Sequence, residues 1–372
     1  MKAKGRSCRD HIPPDLYTEI LIWLPVKSLI RFTRVSKSWQ SLVKDPTFIT
    51  NHRRNSPTSR KRSLLMKKDL NSVYDHLKVC MSTHYDLDNF NCDYILNMEL
   101  EIPWMSQKKS IRSVHTCHEL VCVVSYDVNI ILWNPSIQNF ITLPSPNLGG
   151  ISNRVGFGFD PKAYDYKVVA ITRIDDFEFD PQRRYRAEIF SLEAGSWRDI
   201  DNTIPCFPVE NENEHICVDG VMYWIALNYS ARYGVFLGRI LAFDLGDEKF
   251  RNISLSADLS YEYKSLELAV LKESVCLIQY MNRLGFSDKE LCSIWVMEEP
   301  GGFVKLITIN SGVCLGRALG MRANGEILIV SVDKRLVYSY DPRKSQMSYC
   351  ASFCNYEYSH RLNTYVESLV LL

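Results

Sequence analysis

Apolar residues fall into two regimes along the chain. Between residues 12 and 50 they recur with a helical period: Leu16, Ile20 and Leu24 stand at i, i+4 and i+8, behind Pro13 and Pro14, which suit a first helical turn. Pro25 closes that helix. A second short helix is predicted through Val26, Leu29 and Phe32, and a third carries Val35, Trp39, Leu42 and Val43 until Asp45-Pro46 breaks it. Three such helices present more apolar surface than about forty residues can bury alone, so this bundle calls for a partner or a neighbouring domain.

The pattern then changes. From Asn51 to Lys68 the chain holds seven Lys and Arg and no acid, with Ser and Pro between them, and residues 51–62 read as a basic linker. Arg60-Lys61-Arg62 also has the makeup of a nuclear import patch, although such triplets are common on solvated connectors.

Beyond residue 62 β-branched and aromatic runs dominate, as in YKVVAITR at 166–173, and a hairpin signature repeats. A large aromatic is followed seven positions later by another large apolar residue: Trp133 and Phe140, Phe190 and Trp197, Phe243 and Phe250, Tyr340 and Met347. The pair Trp295 and Phe303 is one residue longer. First anchors lie 57, 53, 52 and 45 residues apart, and a degraded sixth unit surrounds Tyr85, 48 residues before Trp133. A period of about 50 with about four strands per unit is what a β-propeller blade requires. The alternative, an aligned β-sandwich, does not need so regular a recurrence. The apolar end, Tyr365 to Leu372, is expected to pair with the first blade and hide an edge.

Composition adds mostly exclusions. There is no run of about 18 apolar residues and no apolar stretch after the basic N-terminus, so neither export nor membrane spanning is expected. Twelve cysteines without a CxxC pair read as small core hydrophobes in a reducing compartment. Cys117 and Cys122 with His115 and His118, and Cys350 with Cys354, fall in strand-like runs, which disfavours a zinc site. The sequons at Asn228 and Asn252 are idle without export. Gly156-Phe157-Gly158 precedes Asp160-Pro161 and reads as a strand entering a hairpin, not as a phosphate loop. The acids Asp175, Asp176, Glu178 and Asp180 lack the glycine and terminal glutamate of a calcium loop. No catalytic motif, metal or cofactor is nominated.

The helical run has a specific likeness. Ile12-Pro13-x-Asp15-Leu16, Ile20-Leu21-x-x-Leu24-Pro25-Val26-Lys27-Ser28-Leu29-x-Arg31-Phe32, Val35-Ser36-Lys37-Ser38-Trp39 and Asp45-Pro46-x-Phe48 together resemble the plant F-box. GFGFDPKAYDYKVVAI at 156–171, SWRDID at 196–201, ILAFDLGDEKFRNISL at 240–255 and SIWVME at 293–298 resemble the F-box-associated interaction domain. HTCHELVCV at 115–123 departs from that domain's usual GSCNGLVCL by losing both glycines, which puts the local turn in question. The expected fold is α+β multidomain: a three-helix F-box over residues 10–50, the linker at 51–62, and an all-β, six-bladed, kelch-like β-propeller over 63–372.

The resemblance implies a substrate receptor of a Skp/cullin/F-box (SCF) ubiquitin ligase, itself without catalysis. The F-box docks a Skp-type adaptor, which brings cullin and RING subunit, and the propeller presents a protein target. Carried over by motif position, Ile12, Pro13, Leu16, Ile20, Leu24, Pro25, Leu29, Val35 and Trp39 are adaptor-contact candidates. Some must instead pack the bundle. FRNISL, SIWVM and YVESLVLL are also similar to S-locus F-box proteins, which recognise S-ribonucleases in pollen self-incompatibility; roles in plant defence or hormone signalling, or a scaffold outside ubiquitination, are the alternatives.

Charge changes the picture of the partner. The net charge of +1 conceals a split: residues 1–62 carry 14 Lys and Arg against 4 Asp and Glu, a balance of +10, and the rest balances at −9. The candidate target-binding acids are Asp175, Asp176, Glu178, Asp180, Glu210, Glu212 and Glu214, and they would steer a basic, S-ribonuclease-like protein. Nucleic acid and membrane partners are not expected, and the cytoplasm, with the nucleus as a second compartment, is the expected location.

Overall fold

The computed structural model describes residues 14–55, 62–68, 78–82, 99–100, 111–125, 127, 129–147, 153–173, 185–201, 204–209, 215–230, 235–260, 266–280, 291–298, 301–322, 324–331, 336–352 and 361–371. Helices α1 (Pro14–Leu21), α2 (Val26–Phe32), α3 (Lys37–Val43) and α4 (Pro46–Asn55) come first. The fourth helix corrects the three-helix expectation. Asp45-Pro46 does not merely break α3: Asp45 Oδ1 accepts the backbone N–H groups of Thr47 at 2.8 Å and Phe48 at 3.2 Å, and Pro46 occupies the first helical position. The helix therefore runs five residues into the stretch read as a linker.

The strands form six antiparallel sheets. The first contains β1 (Arg62–Lys68), β2 (Lys78–Ser82) and β3 (Glu99–Leu100). The second holds β4 (Ile111–Cys117), β5 (Leu120–Ser125), β6 (Ile130–Asn134) and β7 (Asn139–Thr142); the third, β8 (Asn153–Asp160), β9 (Asp165–Arg173), β10 (Tyr185–Ser191) and β11 (Ser196–Asp199). In the fourth, β12 (Phe207–Pro208) and β13 (Ile216–Val218) both pair with β14 (Val221–Ser230), followed by β15 (Val235–Asp244) and β16 (Lys249–Ser254). A short helix, α5 (Ala257–Ser260), leads to the fifth, β17 (Leu266–Leu271), β18 (Ser274–Tyr280), β19 (Leu291–Glu298) and β20 (Gly302–Asn310). The sixth is β21 (Leu315–Met321), β22 (Ile327–Ser331), β23 (Leu336–Asp341) and β24 (Gln346–Ser352). Finally β25 (Arg361–Val366) returns to pair with β1, Tyr365 opposite Ser63.

This is an all-β propeller. Successive sheets touch through β4, β8, β13, β17, β21 and β25, and β25 touches β4 in turn. Five sheets are each drawn from one contiguous stretch of chain, so five such blades stand where a six-bladed propeller was expected; the remaining sheet is composite, joining β1, β2 and β3 to β25 as the expected closure by the C-terminal segment required. The degraded unit around Tyr85 lies outside the described residues.

The recurring hairpins have a local cause. Trp133 faces Phe140, Phe190 faces Trp197, Phe243 faces Phe250 and Tyr340 faces Met347 across the outer strand pairs. In each, the residue after the anchor (Asn134, Ser191, Asp244 or Asp341) accepts a backbone N–H within the turn. Five positions past the anchor, Gln138, Gly195, Glu248 and Ser345 take the left-handed conformation, with φ of 51–66°. Trp295 is the exception. Here the hairpin closes two residues further from the anchor, with Glu298 opposite Gly302, so Trp295 faces Lys305 and Phe303 faces Met297; a bulge follows between Ile294 and Trp295. Middle strands such as β5 and β6 are buried on both faces because each blade is covered by its neighbours.

Candidate functional site

The helical module keeps part of its apolar surface bare. Leu16 is 44% exposed, Ile20 53% and Val35 66%, and Pro25 is also exposed, so these four adaptor-contact candidates stand at the surface. Leu24 and Trp39 are half-buried; Trp39 packs edge-on against Phe32 at 5.1 Å and leans on Tyr17 at 6.0 Å. Leu29 is fully buried and belongs to the core with Leu21, Val26, Val43 and Phe48, so it supports the surface from beneath. Ile12 and Pro13 lie outside the described residues. Trp23, 57% exposed and one helical turn beyond Ile20, extends the apolar face and was not among the sequence candidates. Its spacing from Leu16 and Ile20, i+7 and i+3, was the available signal.

The module is seated on the propeller by α4, whose second half sequence reasoning had assigned to a linker. His52 is buried, with Nε2 2.8 Å from the Leu24 carbonyl, so it donates from beneath to the Leu24-Pro25 turn. Burial holds its pKa below the ordinary histidine value. Next to it, Arg53 reaches the propeller. Arg53 Nε lies 2.5 Å from Glu119 Oε1, and Nη2 donates to the Tyr166 hydroxyl at 3.2 Å. Its guanidinium carbon sits 4.4 Å from the centre of the Phe159 ring, 5.0 Å from Tyr164 and 5.5 Å from Tyr166, and Arg54 also lies over Tyr164.

Both charges of this pair are withdrawn from water, with side chains 15% and 2% exposed. Burial pushes the Glu119 carboxyl above its usual range, and Arg53 pulls it back. For Arg53, burial works against the charge, but Tyr166 and Glu119 more than offset it and the guanidinium is held more firmly protonated. Tyr166, buried and beside Glu119, is raised well above an ordinary phenol.

Glu119 stands in the two-residue turn between β4 and β5, where the family phrase carries a glycine. The doubt about that turn resolves in favour of a tight hairpin: Cys117 faces Leu120, and His118 takes φ 51° without a glycine. A second connection runs through the C-terminal segment. Asn134 donates through Nδ2 to the carbonyls of Ser368 at 3.0 Å and Val370 at 2.7 Å, and the Tyr365 hydroxyl donates to Asn134 Oδ1 at 2.8 Å. Thus held, Leu369 is fully buried within the helical core, alongside partly buried Ile137. The segment after Val366 therefore does not continue β25 but straps the module to the ring.

The acids nominated for target binding, Asp175, Asp176, Glu178, Asp180, Glu210, Glu212 and Glu214, all lie outside the described residues. Of their described flanks, Arg173 ends β9, Tyr185 begins β10, and Val209 and His215 bracket the second stretch between β12 and β13. Among the described residues no group of three or more His, Cys, Asp and Glu is placed to hold a metal, and no helix is long and apolar enough to cross a membrane.

Fold and site define an interaction protein in which a small helical module with a bare apolar face is clamped to a β-propeller. Comparison with known proteins identifies both parts. The F-box domain model matches residues 10–51, and the F-box associated beta propeller domain model matches residues 65–351. F-box protein At1g47790 of Arabidopsis thaliana is 30% identical over 302 residues, covering 77% of this chain and 68% of its own length. F-box/kelch-repeat protein At3g23880 of the same plant is 27% identical over 312 residues, covering 80% of this chain and 79% of its own. Among solved structures, YCF48 bound to D1 peptide aligns at a TM-score of 0.39 and 10% identity over 65% of this chain and 67% of that one, a likeness too low to bear on the fold. The chain belongs to the plant F-box proteins that carry an F-box associated β-propeller domain.

Proposed function

We propose that the chain is the substrate-recognition subunit of an SCF ubiquitin ligase. Its F-box engages a Skp-type adaptor, cullin and RING subunit follow through that adaptor, and the propeller offers a protein target for ubiquitination and degradation. The observation that carries this reading is the exposed apolar set Leu16, Ile20, Trp23, Pro25 and Val35 on a module whose other side is occupied by α4 and the C-terminal strap. The chain's part is proximity, without bond chemistry of its own. We read the composite sheet as a sixth blade, with β25 as its inner strand, and the kelch-like kinship as supported by the name of the F-box/kelch-repeat relative.

Replacing Ile20 and Val35 by Asp should abolish co-purification with a Skp-type adaptor while the propeller's circular dichroism and melting stay unchanged. Undiminished adaptor recovery would defeat the proposal. For the target we propose a basic protein, with an S-ribonuclease of the style as the specific case, recognised in the cytoplasm or the nucleus; a role in plant defence or hormone signalling is the alternative. The acidic balance of −9 beyond residue 62 supports a basic target. Changing Glu210, Glu212 and Glu214 to Gln should weaken its capture and flatten its salt dependence. An affinity indifferent to salt would remove the charge argument and leave the adaptor argument standing.

A further inference from the structure

The outward side of α2 carries charge where α1 carries apolar bulk. Val26 and Leu29 turn inward and are buried, with Ile30 and Phe32 packed against the same core. Lys27, Arg31 and Arg34 are exposed and spaced i, i+4 and i+7, so they stand in one row on the opposite side. The chain keeps winding past Phe32: the Arg34 N–H donates to the Arg31 carbonyl at 3.2 Å, and the Val35 N–H to that of Phe32 at 2.9 Å. Val35, 66% exposed, ends the row; exposed Pro25 precedes it and exposed Lys37 follows. A partner that covers the apolar set therefore meets cations on α2.

Surface cations are ordinary, and these are set apart by what surrounds them. Among the described residues none of Lys27, Arg31, Arg34 and Lys37 has an ion-pair partner, whereas in the blades Lys162, Lys167, Arg198, Arg322 and Lys344 are each matched by an acid. Of the module's acids with described side chains, Asp45 is engaged in capping α4 and Glu19 stands on α1. Lys27 and Lys37 also occupy the first turns of α2 and α3, where the helix dipole favours acids, and neither turn holds one. The row is thus placed against the local preference of its own helices. An apolar partner would not suit it either, because covering a charge without an opposite one is costly.

We propose that Lys27, Arg31 and Arg34 pair with a row of carboxylates on the Skp-type adaptor, whose docking face is apolar against α1 and acidic against α2. This rests on the reading that the exposed face of the module takes the adaptor. The planar forks of Arg31 and Arg34 suit bidentate carboxylates, and Lys27 contributes a point charge. The row acts mainly on encounter: opposite charges steer the two faces together before the apolar set closes.

The test is the association rate between the full-length chain and a purified Skp-type adaptor, measured from about 0.1 M to about 1 M salt, a range over which the screening length falls from about 10 Å to about 3 Å. Changing Lys27, Arg31 and Arg34 together to Gln should slow association about tenfold at the low end and leave little difference at the high end. Melting should stay unchanged, because all three side chains are exposed. Arg31→Lys with Arg34→Lys keeps the charge, and should retain the salt slope while shortening the lifetime of the complex. Ile20→Asp with Val35→Asp separates the two claims. Loss of adaptor binding in that pair, together with a parental rate and salt slope in the Gln variant, would overturn the charge row and leave the adaptor reading standing. Adaptor binding that survives Ile20→Asp with Val35→Asp would take down both. A Gln variant that matches the parent towards the adaptor but no longer pellets with phosphatidylserine vesicles would assign the row to an anionic membrane and overturn the proposal as well.

Discussion

Replacing Arg53 by alanine isolates the contact that turns two domains into one body. The change removes a guanidinium that is 15% exposed and strands a Glu119 carboxylate that is 2% exposed. Breaking a buried ion pair from one side costs about 3–5 kcal/mol, because the remaining charge is left in a poorly solvating site. Losing the ring contacts with Phe159, Tyr164 and Tyr166 adds about 1 kcal/mol. Against a typical domain stability of about 5–15 kcal/mol this is a large fraction. Chemical denaturation followed by tryptophan fluorescence should therefore show a lower midpoint, and amide exchange should accelerate in α4 ahead of the blades.

The pair also makes a signed statement about pH. Glu119's folded carboxyl lies above its ordinary value of 4.5, so proton binding favours the fold: this contribution is fully present below about pH 4.5 and is lost as pH rises through the raised value. Arg53 limits that loss. In R53A the decline in stability on going from acid to neutral pH should steepen, and adding Glu119→Gln should flatten it and recover at least half the cost. An R53A variant within about 1 kcal/mol of the parent, with an unchanged pH profile, would refute a buried, energetically coupled pair.

Three further outcomes follow from neighbouring contacts. His52 is buried below its ordinary pKa of 6.5, so its stabilising contribution is complete above that value and fades as pH falls through the lowered folded value; melting of the F-box should soften from pH 7.5 to 5.5, and His52→Gln should remove the dependence. Leu369→Ala empties a fully buried position shared by the strap and the helical core, and should cost about 2–5 kcal/mol in urea denaturation with exchange rising first in α2 and α4. Gly158→Ala drives a methyl against Cys217 Sγ and should cost about 1–3 kcal/mol by the same measurement, with a smaller penalty when Cys217 is also changed to Ala.

The propeller was legible wherever its signal was local. Trp133, Phe190, Phe243 and Tyr340 could be paired with residues seven positions on because one turn, closed by a side-chain cap and a left-handed residue, recurs in all four hairpins. Trp295 departs from the pattern because its hairpin closes two residues further from the anchor, with Glu298 opposite Gly302, a displacement that leaves no mark in composition. The composite sheet was only partly legible. An apolar C-terminal run suggested an edge looking for a partner, but β1 begins and ends on basic residues, and its pairing with β25 spans almost the whole chain.

The seat of the F-box shows why a docking contact escapes sequence patterns even when every residue of it has been noticed. Asp45-Pro46 was seen as an ending, although the same dipeptide is a cap followed by a first-turn proline, and the helix it opens converts a basic linker into a lever. Arg53 looked like one of seven interchangeable positive charges, and Glu119 like a lost glycine. Neither oddity carries meaning alone. A charge on a solvated connector costs nothing, and an acid in a hairpin turn costs nothing, until the fold buries both; then each becomes expensive without the other. The pair is thus evidence for a fixed relation between helical module and propeller that neither domain's own pattern contains. In the substrate-receptor role proposed above, a fixed relation would set the distance to the target: loosening Arg53 or Leu369 should reduce target ubiquitination more than it reduces either adaptor binding or target binding measured separately. Equal losses in all three assays would mean that these contacts serve stability alone.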